Sequence, residues 1–324
     1  MKKMFLFAAA AMVSLSSCVQ TSEVYTGKLN EMGFKSAVTR GIIQTQSDFT
    51  YPISVSSVWE NPNDGLDKYL VRFDNAKFVY DESLSNWRGE TPYYWPNAGN
   101  MNFLAFCPYP KDAVLTTNYN ATTGKIEGMT VSGIDIRRVD QPDILFSDLL
   151  SIDAPQTAAQ ALQFHHASAQ LNVEFKKTNS AAEVVLNSVE FWVCVGGDLT
   201  ITAGDPTSTA EWTAHDGHKL QGLFKSTTVS SFTDVALDAI LAHDSAYSPE
   251  PLLVVPADQT YVKITYTVNG HQDVKIIDLS AYGKWEMGKK YTYKFTVNVN
   301  EIIFDCDVDA WEAVDINGGA QITI

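Results

Sequence analysis

A strict alternation of apolar and polar residues over positions 291–300 constrains the fold of this chain most. Successive side chains of a β-strand point to opposite faces of its sheet, so this period of two predicts a strand with one buried and one solvated face. Shorter runs with the same period cover residues 189–195 and 262–268, and helical spacing is confined to the brief stretch 234–241. The chain is therefore predicted to be all-β and built of antiparallel sandwiches. The predicted buried face of the longest run consists of Tyr291, Tyr293, Phe295, Val297 and Val299.

Residue types predict two hairpins. Residues 69–73 and 77–80 are strand candidates, and residues 74–76 between them have the length and composition of a turn. Asn269 and Gly270 tolerate positive φ, and a further strand candidate follows them after a few polar residues. We therefore expect this second hairpin to have a loop longer than two residues.

The charge balance limits the choice of partners. The 324 residues include 38 acidic and 23 basic side chains, for a formal net charge of −15. Such an excess of negative charge repels phosphate backbones and anionic lipid surfaces. The composition therefore argues against nucleic acid as a partner.

The first eighteen residues have the layout of a secretory signal, with a charged start, a short apolar centre and small residues before a cut. Lys2 and Lys3 precede the apolar run 4–13, and the Leu-Ser-Ser-Cys sequence at 15–18 resembles a bacterial lipobox. That resemblance implies cleavage before Cys18 and acylation of its thiol. The alternative is an ordinary signal with an incidental cysteine. No later run approaches the roughly 20 apolar residues that span a bilayer, so a lipid is the predicted anchor.

The length of the chain predicts two domains, since single domains cluster at about 100 to 150 residues. Residues 164–175 read as one strand that opens the second domain. The preceding residues 151–157, with a proline and small polar side chains, suit a connection between two bodies. The predicted division is 1–18 as the signal, 19–40 as a tether, 41–157 as the N-terminal sandwich and 158–324 as the C-terminal sandwich.

Three cysteines remain after Cys18, namely Cys107, Cys194 and Cys306. An odd number excludes a complete disulfide framework. Each of the three lies in an apolar or strand-like run, where a free cysteine behaves as a small hydrophobic residue. Buried thiols are predicted, and a single disulfide is the alternative that the sequence leaves open.

The densest aromatic cluster consists of Trp87, Tyr93, Tyr94 and Trp95. Large aromatic side chains dominate small β cores, so core packing is one interpretation. The other is a stacking platform for sugars, which would present at least two of these rings to solvent. Burial of the four side chains separates the two interpretations.

The sequence contains no recognised catalytic or cofactor motif: no nucleophile elbow, no His-Glu-x-x-His pair, no phosphate loop and no dinucleotide glycine pattern. His165 and His166 are adjacent, so on a strand they point to opposite faces, and one is expected in the core. His215 and His218 lack a third ligand at a recognisable spacing. We therefore expect no enzymatic activity, no cofactor and no metal site.

The order of several segments resembles the fimbrillin family, the pilins and anchor or tip subunits of type V pili. Behind the lipobox, the segments that carry the resemblance are residues 103–110, 143–147, 164–171, 288–298 and 308–311. The resemblance implies two transthyretin-like β-sandwich domains in tandem, transport to the outer membrane as a lipoprotein, and polymerisation with other pilus subunits by strand exchange. It also implies host or bacterial surface ligands, and it leaves the stalk, tip or anchor role open.

In the scheme that this resemblance implies, an arginine-specific protease removes the lipidated N-terminal segment, which includes residues 19–40, and opens a groove in the first domain. A strand from another subunit fills this groove. Arg40 and Gly41 match the cleavage site. The candidate donor residues are Val314, Ile316, Ile322 and Ile324. Ser245, within Asp-Ser-Ala, resembles an O-glycosylation acceptor of the bacteria that carry the family. The alternative function is a surface lipoprotein that binds glycans through the aromatic cluster.

We expect Cys18→Ala to leave the precursor unprocessed or mislocalised, because the variant lacks the thiol that is acylated. Intact-mass analysis of membrane fractions should show an acyl group on the wild-type chain and none on the variant. Cys306→Ala, which removes a different thiol, should keep the acyl group. An unacylated wild-type membrane protein would refute the lipid anchor.

Overall fold

The structure is a computed structural model, and it describes residues 30–37, 50–62, 68–120, 122–136, 143–177, 183–194, 196–204, 206–215, 218–222, 227–229, 235–236, 252–297 and 302–310. These ranges contain 22 β-strands and a 3₁₀ helix at Ser280–Tyr282. The predicted all-β class is confirmed. Within the same ranges, no helix has the length and apolar character needed to cross a membrane.

Ten strands precede residue 167 in the sequence, and twelve follow it. The first ten are β1 (Gly33–Ala37), β2 (Ile53–Glu60), β3 (Tyr69–Asp81), β4 (Asn86–Gly89), β5 (Asn100–Cys107), β6 (Val114–Tyr119), β7 (Ile126–Asp135), β8 (Leu145–Ser147), β9 (Leu150–Asp153) and β10 (Gln160–His166). The others are β11 (Ala169–Lys177), β12 (Val184–Cys194), β13 (Gly196–Thr202), β14 (Thr209–Ala214), β15 (His218–Gly222), β16 (Thr227–Val229), β17 (Val235–Ala236), β18 (Leu252–Val254), β19 (Tyr261–Val268), β20 (His271–Asp278), β21 (Lys289–Val297) and β22 (Ile302–Ala310).

The largest sheet closes on itself. Its eight strands follow the order β2-β3-β4-β1-β10-β8-β5-β9, and β2 also pairs with β5. All of these strands except β9 therefore form a ring in which each has a neighbour on both sides. Closure pairs the backbone N–H and C=O groups that an open edge would expose. The ring encloses one apolar core, in which Phe34, Phe78 and Phe103 are fully buried.

A four-stranded sheet, β14-β13-β7-β6, covers the outer face of β2 and β5. It joins two strands that precede residue 157 to two strands that follow it. The predicted boundary between residues 157 and 158 therefore does not coincide with a boundary between sheets, since β10 beyond it still belongs to the ring. The turn-like residues 151–157 cover the end of β9 and the start of the connection to β10. The buried side chains that join these two layers include Val58, Leu104, Met129, Val131 and Leu199.

The chain leaves the ring at Ala167 and Ser168. Strand β10 pairs inside the ring, whereas β11 pairs with β21 in another sheet. The prediction that residues 164–175 form one strand is therefore wrong. Backbone bonds hold the corner, because the Ala167 N–H donates to Ile144 O at 2.8 Å and the Gly288 N–H donates to Ser168 O at 3.0 Å. These partners are distant in sequence, so local alternation does not reveal the break.

Two five-stranded sheets form the second half. One has the order β17-β11-β21-β22 with β18 also on β11, and the other has the order β15-β12-β19-β20 with β16 also on β12. Their inner faces share a core that includes Phe191 and Tyr293. Trp285 Nε1 donates to the Tyr293 hydroxyl at 2.7 Å, and that hydroxyl donates to Gln259 Oε1 at 2.9 Å. Burial raises the pKa of Tyr293. The hydroxyl therefore stays protonated and able to donate.

The predicted inward face of β21 is confirmed. Tyr291, Tyr293, Phe295 and Val297 are at most 3% exposed. Val299 lies outside the described residues. The period of two therefore identified the buried side of this strand.

The predicted turn at residues 74–76 is wrong, because β3 runs through it as one strand of 13 residues. Asn75 has a φ of 51°, and the pairing with β2 shifts in register between Val55 and Ser57. The Asn75 N–H donates to Ser56 Oγ at 2.9 Å instead of following the ladder. These residues make a β-bulge within the strand. The left-handed conformation that Asn75 would adopt in a turn occurs here in the bulge.

The hairpin at Asn269 and Gly270 is confirmed, but its loop has two residues and not more. Val268 pairs directly with His271, and the turn residues have φ values of 50° and 84°. Positive φ at both positions is typical of a type I′ turn, whose twist matches that of the flanking strands. The polar start of β20, at residues 271–273, concealed the beginning of the strand in the sequence.

Replacing the fully buried Phe295 with Ala is expected to cost about 3–5 kcal/mol of unfolding free energy, because it removes a large side chain and leaves a cavity. The neighbouring Thr296→Ala, at a half-buried position on the other face, should cost within about 0.5 kcal/mol. Urea unfolding of both variants measures the difference. Similar losses at the two positions would contradict the assignment of faces.

Candidate functional site

The first strand, β1, is the best candidate for a functional element. It completes the ring by pairing with β4 and β10, two strands that are not its neighbours in sequence. It pairs in parallel with β10, with Phe34 opposite Gln160 and Ala37 opposite Gln163. On its other side it pairs antiparallel with β4, where Phe34 lies opposite Trp87. The space between β4 and β10, with the pockets that receive the side chains of residues 32–36, is called the β1 groove below.

Two apolar side chains anchor the segment in the groove. Met32 and Phe34 are 1% and 0% exposed, and both belong to the core of the ring. The Phe34 ring packs edge-on against Phe78 and Phe103, with ring centroids 5.1 Å apart in each pair. Full burial of a side chain of this size stabilises by roughly 1.5–3 kcal/mol. Residues 30–37 are therefore part of the fold.

Polar contacts hold the start of the segment. The Met32 N–H donates to Tyr93 O at 2.7 Å, and the Trp95 N–H donates to Asn30 O at 3.0 Å. The Arg88 guanidinium donates to the carbonyls of Glu31 and Met32 at 3.2 and 3.4 Å. Each of these bonds uses a backbone atom of residues 30–32, so the bonds depend little on the sequence that occupies the groove.

One position fits the groove poorly. Ser36 is buried, and within the described part of the chain its hydroxyl has no hydrogen-bond partner. A buried donor without a partner costs about 1–3 kcal/mol. Met32 and Phe34 therefore anchor this segment, and the Ser36 hydroxyl adds no described hydrogen bond.

The four residues of the aromatic cluster line or adjoin this groove. Trp87 and Trp95 are buried at 2% and 5% exposure, and Trp87 Nε1 donates to Tyr51 O at 2.9 Å. Tyr93 is half-buried and its ring stacks on Phe78, with centroids 5.7 Å apart. Only Tyr94 of the four has an exposed ring, at 40%. A sugar platform needs at least two exposed rings, so this burial favours core packing.

Several predicted site residues lie outside the described part of the chain: Cys18, Arg40, Gly41, Ser245, Val314, Ile316, Ile322 and Ile324. Sequence reasoning treated the segment before Arg40 as a tether and missed Met32 and Phe34 as core residues. The available signal was the short alternation of Met32 and Phe34 with glycine and lysine. Four residues of alternation are too few to distinguish a strand from a polar linker.

The two adjacent histidines lie on opposite sides of β10, as predicted. His166 Nδ1 lies 2.9 Å from Asp143 Oδ2, with both side chains at most 2% exposed, which confirms one core histidine. His165 Nε2 lies 2.8 Å from Asp148 Oδ1 nearer the surface. Among the residues that the structure describes, no three His, Cys, Asp or Glu side chains are placed to hold a metal ion.

Cys107, Cys194 and Cys306 form no disulfide in the described part of the chain. Cys107 and Cys194 are buried as predicted, while Cys306 is half-buried. Burial raises the pKa of the Cys107 thiol well above its usual value, and the nearby Asp143 carboxylate adds to the effect. A thiol in this environment stays protonated and is a poor nucleophile. Cys107 therefore has the properties of a packed core residue.

Comparison with protein families matches the fimbrillin-like family over residues 39–311. The chain belongs to this family. The match begins after β1, so the strand that completes the ring precedes the part of the chain that matches the family. No curated protein matches the chain.

Two solved structures share the fold of this fimbrillin-like chain. A fimbrial protein from Bacteroides vulgatus ATCC 8482 aligns with a TM-score of 0.57 at 14% identity, covering 87% of this chain and 99% of the other. A protein proposed to act in cell adhesion, from Bacteroides ovatus ATCC 8483, aligns with a TM-score of 0.50 at 13% identity, covering 88% and 98%. At these identities the likeness concerns the fold alone.

Replacing Phe34 with Ala is expected to loosen β1 selectively, because this side chain provides the largest apolar anchor in the groove. Amide hydrogen exchange of residues 33–37 should accelerate strongly in this variant. Lys35→Ala, at the exposed position next to it, should leave exchange unchanged within a factor of about two. Equal exchange in Phe34→Ala and the wild type would show that the core contacts do not hold the strand.

Proposed function

We propose that this protein is a structural or adhesive subunit of a surface pilus, exported as an outer-membrane lipoprotein and assembled by protease-triggered strand exchange. Membership of the fimbrillin-like family supports a role in a pilus or in adhesion at the cell surface. The position of β1 supports the assembly step. The proposal assigns the protein a mechanical role with no enzymatic activity.

The observation that carries this proposal is the burial of Phe34 between β4 and β10, in a segment that ends just before Arg40. A cut between Arg40 and Gly41 would separate β1 from β2 covalently while leaving its contacts intact. Departure of the segment would expose unpaired N–H and C=O groups on both neighbouring strands, together with the vacated apolar pockets. An incoming strand satisfies both needs at once, which is the physical basis of strand addition to a sheet.

The groove also defines what a donor strand must provide. Met32 and Phe34 are two residues apart on one face, so a replacement needs two apolar side chains at the same spacing. Near the C terminus, Val314 with Ile316 and Ile322 with Ile324 both have this spacing. We propose that one of these pairs, from another subunit, occupies the pockets of Met32 and Phe34. Because an apolar or alanine side chain at the Ser36 position would leave no unpaired hydroxyl, a donor can fit better than β1 does.

The proposal includes two tandem transthyretin-like units, with the passage between them at Ala167 and Ser168. Seven of the strands up to β10 build the ring, and β11 begins the second pair of sheets. The hairpin of β13 and β14 comes from the second unit and extends the sheet of β6 and β7. This shared sheet fixes the units to each other and leaves the groove as the element that changes partner.

Cleavage after Arg40 is expected to convert a stable monomer into a polymerising subunit. Residues 19–324 would be treated with an arginine-specific protease and followed by size-exclusion chromatography and unheated gel electrophoresis. Ladders that need heat to dissociate should appear, because withdrawing a seated donor uncovers apolar surface and unpaired backbone together. Mass spectrometry of the fragments should separate a cut at Arg40 from cuts at Arg137 or Arg138.

The matched control is Arg40→Ala, which should give no ladders under the same treatment. A protein that is cut at Arg40 and stays monomeric, alone and with partner subunits, would contradict strand exchange. In that case the fold and the family would stand, and the role of β1 would be purely structural.

A further inference from the structure

The second half of the protein carries an edge strand, β20, that is long and apolar on one face. It pairs with β19 on one side, and no strand of the described residues pairs with it on the other. Val274 and Ile276 on its outer face are 48% and 61% exposed. Folded proteins normally cover or charge such edges, because unpaired backbone groups attract another strand. We propose that β20 pairs antiparallel with β20 of a second copy of this chain, about a twofold axis at Val274.

The hydrogen-bond phase of the hairpin shows which backbone groups point outward. The Leu279 N–H donates to Thr260 O at 2.8 Å, so this pair is of the hydrogen-bonded type, which recurs at every second residue of an antiparallel ladder. The residues of β20 that face β19 in this way are His271, Asp273, Lys275 and Ile277. Gln272, Val274 and Ile276 therefore direct their N–H and C=O groups to the open side.

A twofold axis at Val274 uses all of these outward groups. Val274 then pairs with Val274 of the second copy, and Gln272 of each copy pairs with Ile276 of the other. These are the hydrogen-bonded positions, so each N–H of the three residues meets a carbonyl across the axis. In the single chain the Val274 N–H donates to the carboxylate of the adjacent Asp273, 2.8 Å away, which a ladder bond would replace.

The charged side chains of β20 select this register over its neighbours. With the axis at Val274, Asp273 of each copy lies opposite Lys275 of the other, which gives two pairs of opposite charge on one face. An axis at Lys275 would set two ammonium groups against each other, and an axis at Asp273 would oppose two carboxylates. Opposite charges directly across an antiparallel pair stabilise it, and like charges destabilise it.

Apolar contact on the other face adds to this match. The pairing of β19 and β20 places Thr265 beside Val274 and Lys263 beside Ile276 on the outer face of the sheet. A second copy would cover Val274 with its own Val274 and bring the exposed Ile276 against Gln272. The backbone groups, charges and apolar side chains of β20 are therefore complementary to those of a second β20. For this reason we assign a second copy of the chain as the partner of this edge.

This contact is independent of strand exchange at the β1 groove. Strand β20 belongs to the second pair of sheets, and neither Arg40 nor the candidate donor residues take part in the pairing. An Arg40→Ala protein is therefore expected to dimerise as the wild type does. The contact would join copies side by side, in addition to any end-to-end joining by a donor strand.

The register is tested by cysteine cross-linking in residues 19–324 carrying Cys306→Ser, which removes the half-buried thiol. Val274→Cys places two cysteines across the axis with Cα atoms about 5.5 Å apart, within reach of a disulfide. Ile276→Cys is the matched control, because it is at least as exposed but lies about 14 Å from its copy along the strand, four residues apart at roughly 3.4 Å each. Under mild oxidation, Val274→Cys should form a reducible dimer at least tenfold faster.

The charge pairs are tested by sedimentation velocity over a range of concentrations at about 0.15 M salt, where the net negative charge is screened beyond about 8 Å. The wild-type chain should show a concentration-dependent dimer, Lys275→Asp should weaken it about tenfold, and Asp273→Lys with Lys275→Asp should restore it. A chain that is monomeric at every concentration, or equal cross-linking at positions 274 and 276, would overturn the proposal. A dimer that forms only after deletion of residues 311–324 would also overturn it and assign the edge to the chain's own C terminus.

Discussion

Closure of the backbone ladder around the first core is the constraint on which the rest of the structure depends. Each strand of the ring has partners on both sides, and the ring has no open edge while β1 is in place. Its core side chains lie inside the ring, and the outer face of β2 and β5 is covered by a second sheet. Because β1 pairs with two strands that are not its neighbours in sequence, one short segment decides whether the ladder is complete.

The same segment is anchored by buried apolar side chains and by backbone hydrogen bonds. Phe34 is surrounded by aromatic rings, and backbone bonds to Tyr93 and Trp95 hold the chain before it. These contacts require a strand of the right shape and place few demands on its sequence. Within the described chain the Ser36 hydroxyl has no hydrogen-bond partner, so it adds no polar anchoring to the segment. The groove therefore holds β1 through two apolar side chains, Met32 and Phe34, that lie two positions apart.

The ring and the second half of the protein differ in their strand edges. In the ring closure removes the edges, whereas β20 in the second half has paired groups on one side and outward groups on the other within the described chain. The hairpin turn at Asn269 and Gly270 determines which residues of β20 have outward groups, because it sets the phase of hydrogen bonding. A turn of one more residue would exchange the two sets. The short I′ turn therefore determines which backbone groups remain for another chain.

The sequence by itself determined the all-β class, the buried face of β21, the opposite directions of His165 and His166, and the hairpin at Asn269. Each of these follows from the period of a strand or the conformation of a turn residue, and both are local properties. Only the tertiary structure decided that residues 74–76 form a bulge, that the chain changes sheet at Ala167, and that Trp87 and Trp95 line the β1 groove. Alternation specifies which side of a strand is buried but not which strand lies beside it. The candidate site was therefore hidden, since the role of Phe34 depends on β4 and β10, whose pairing with β1 is set by contacts distant in sequence.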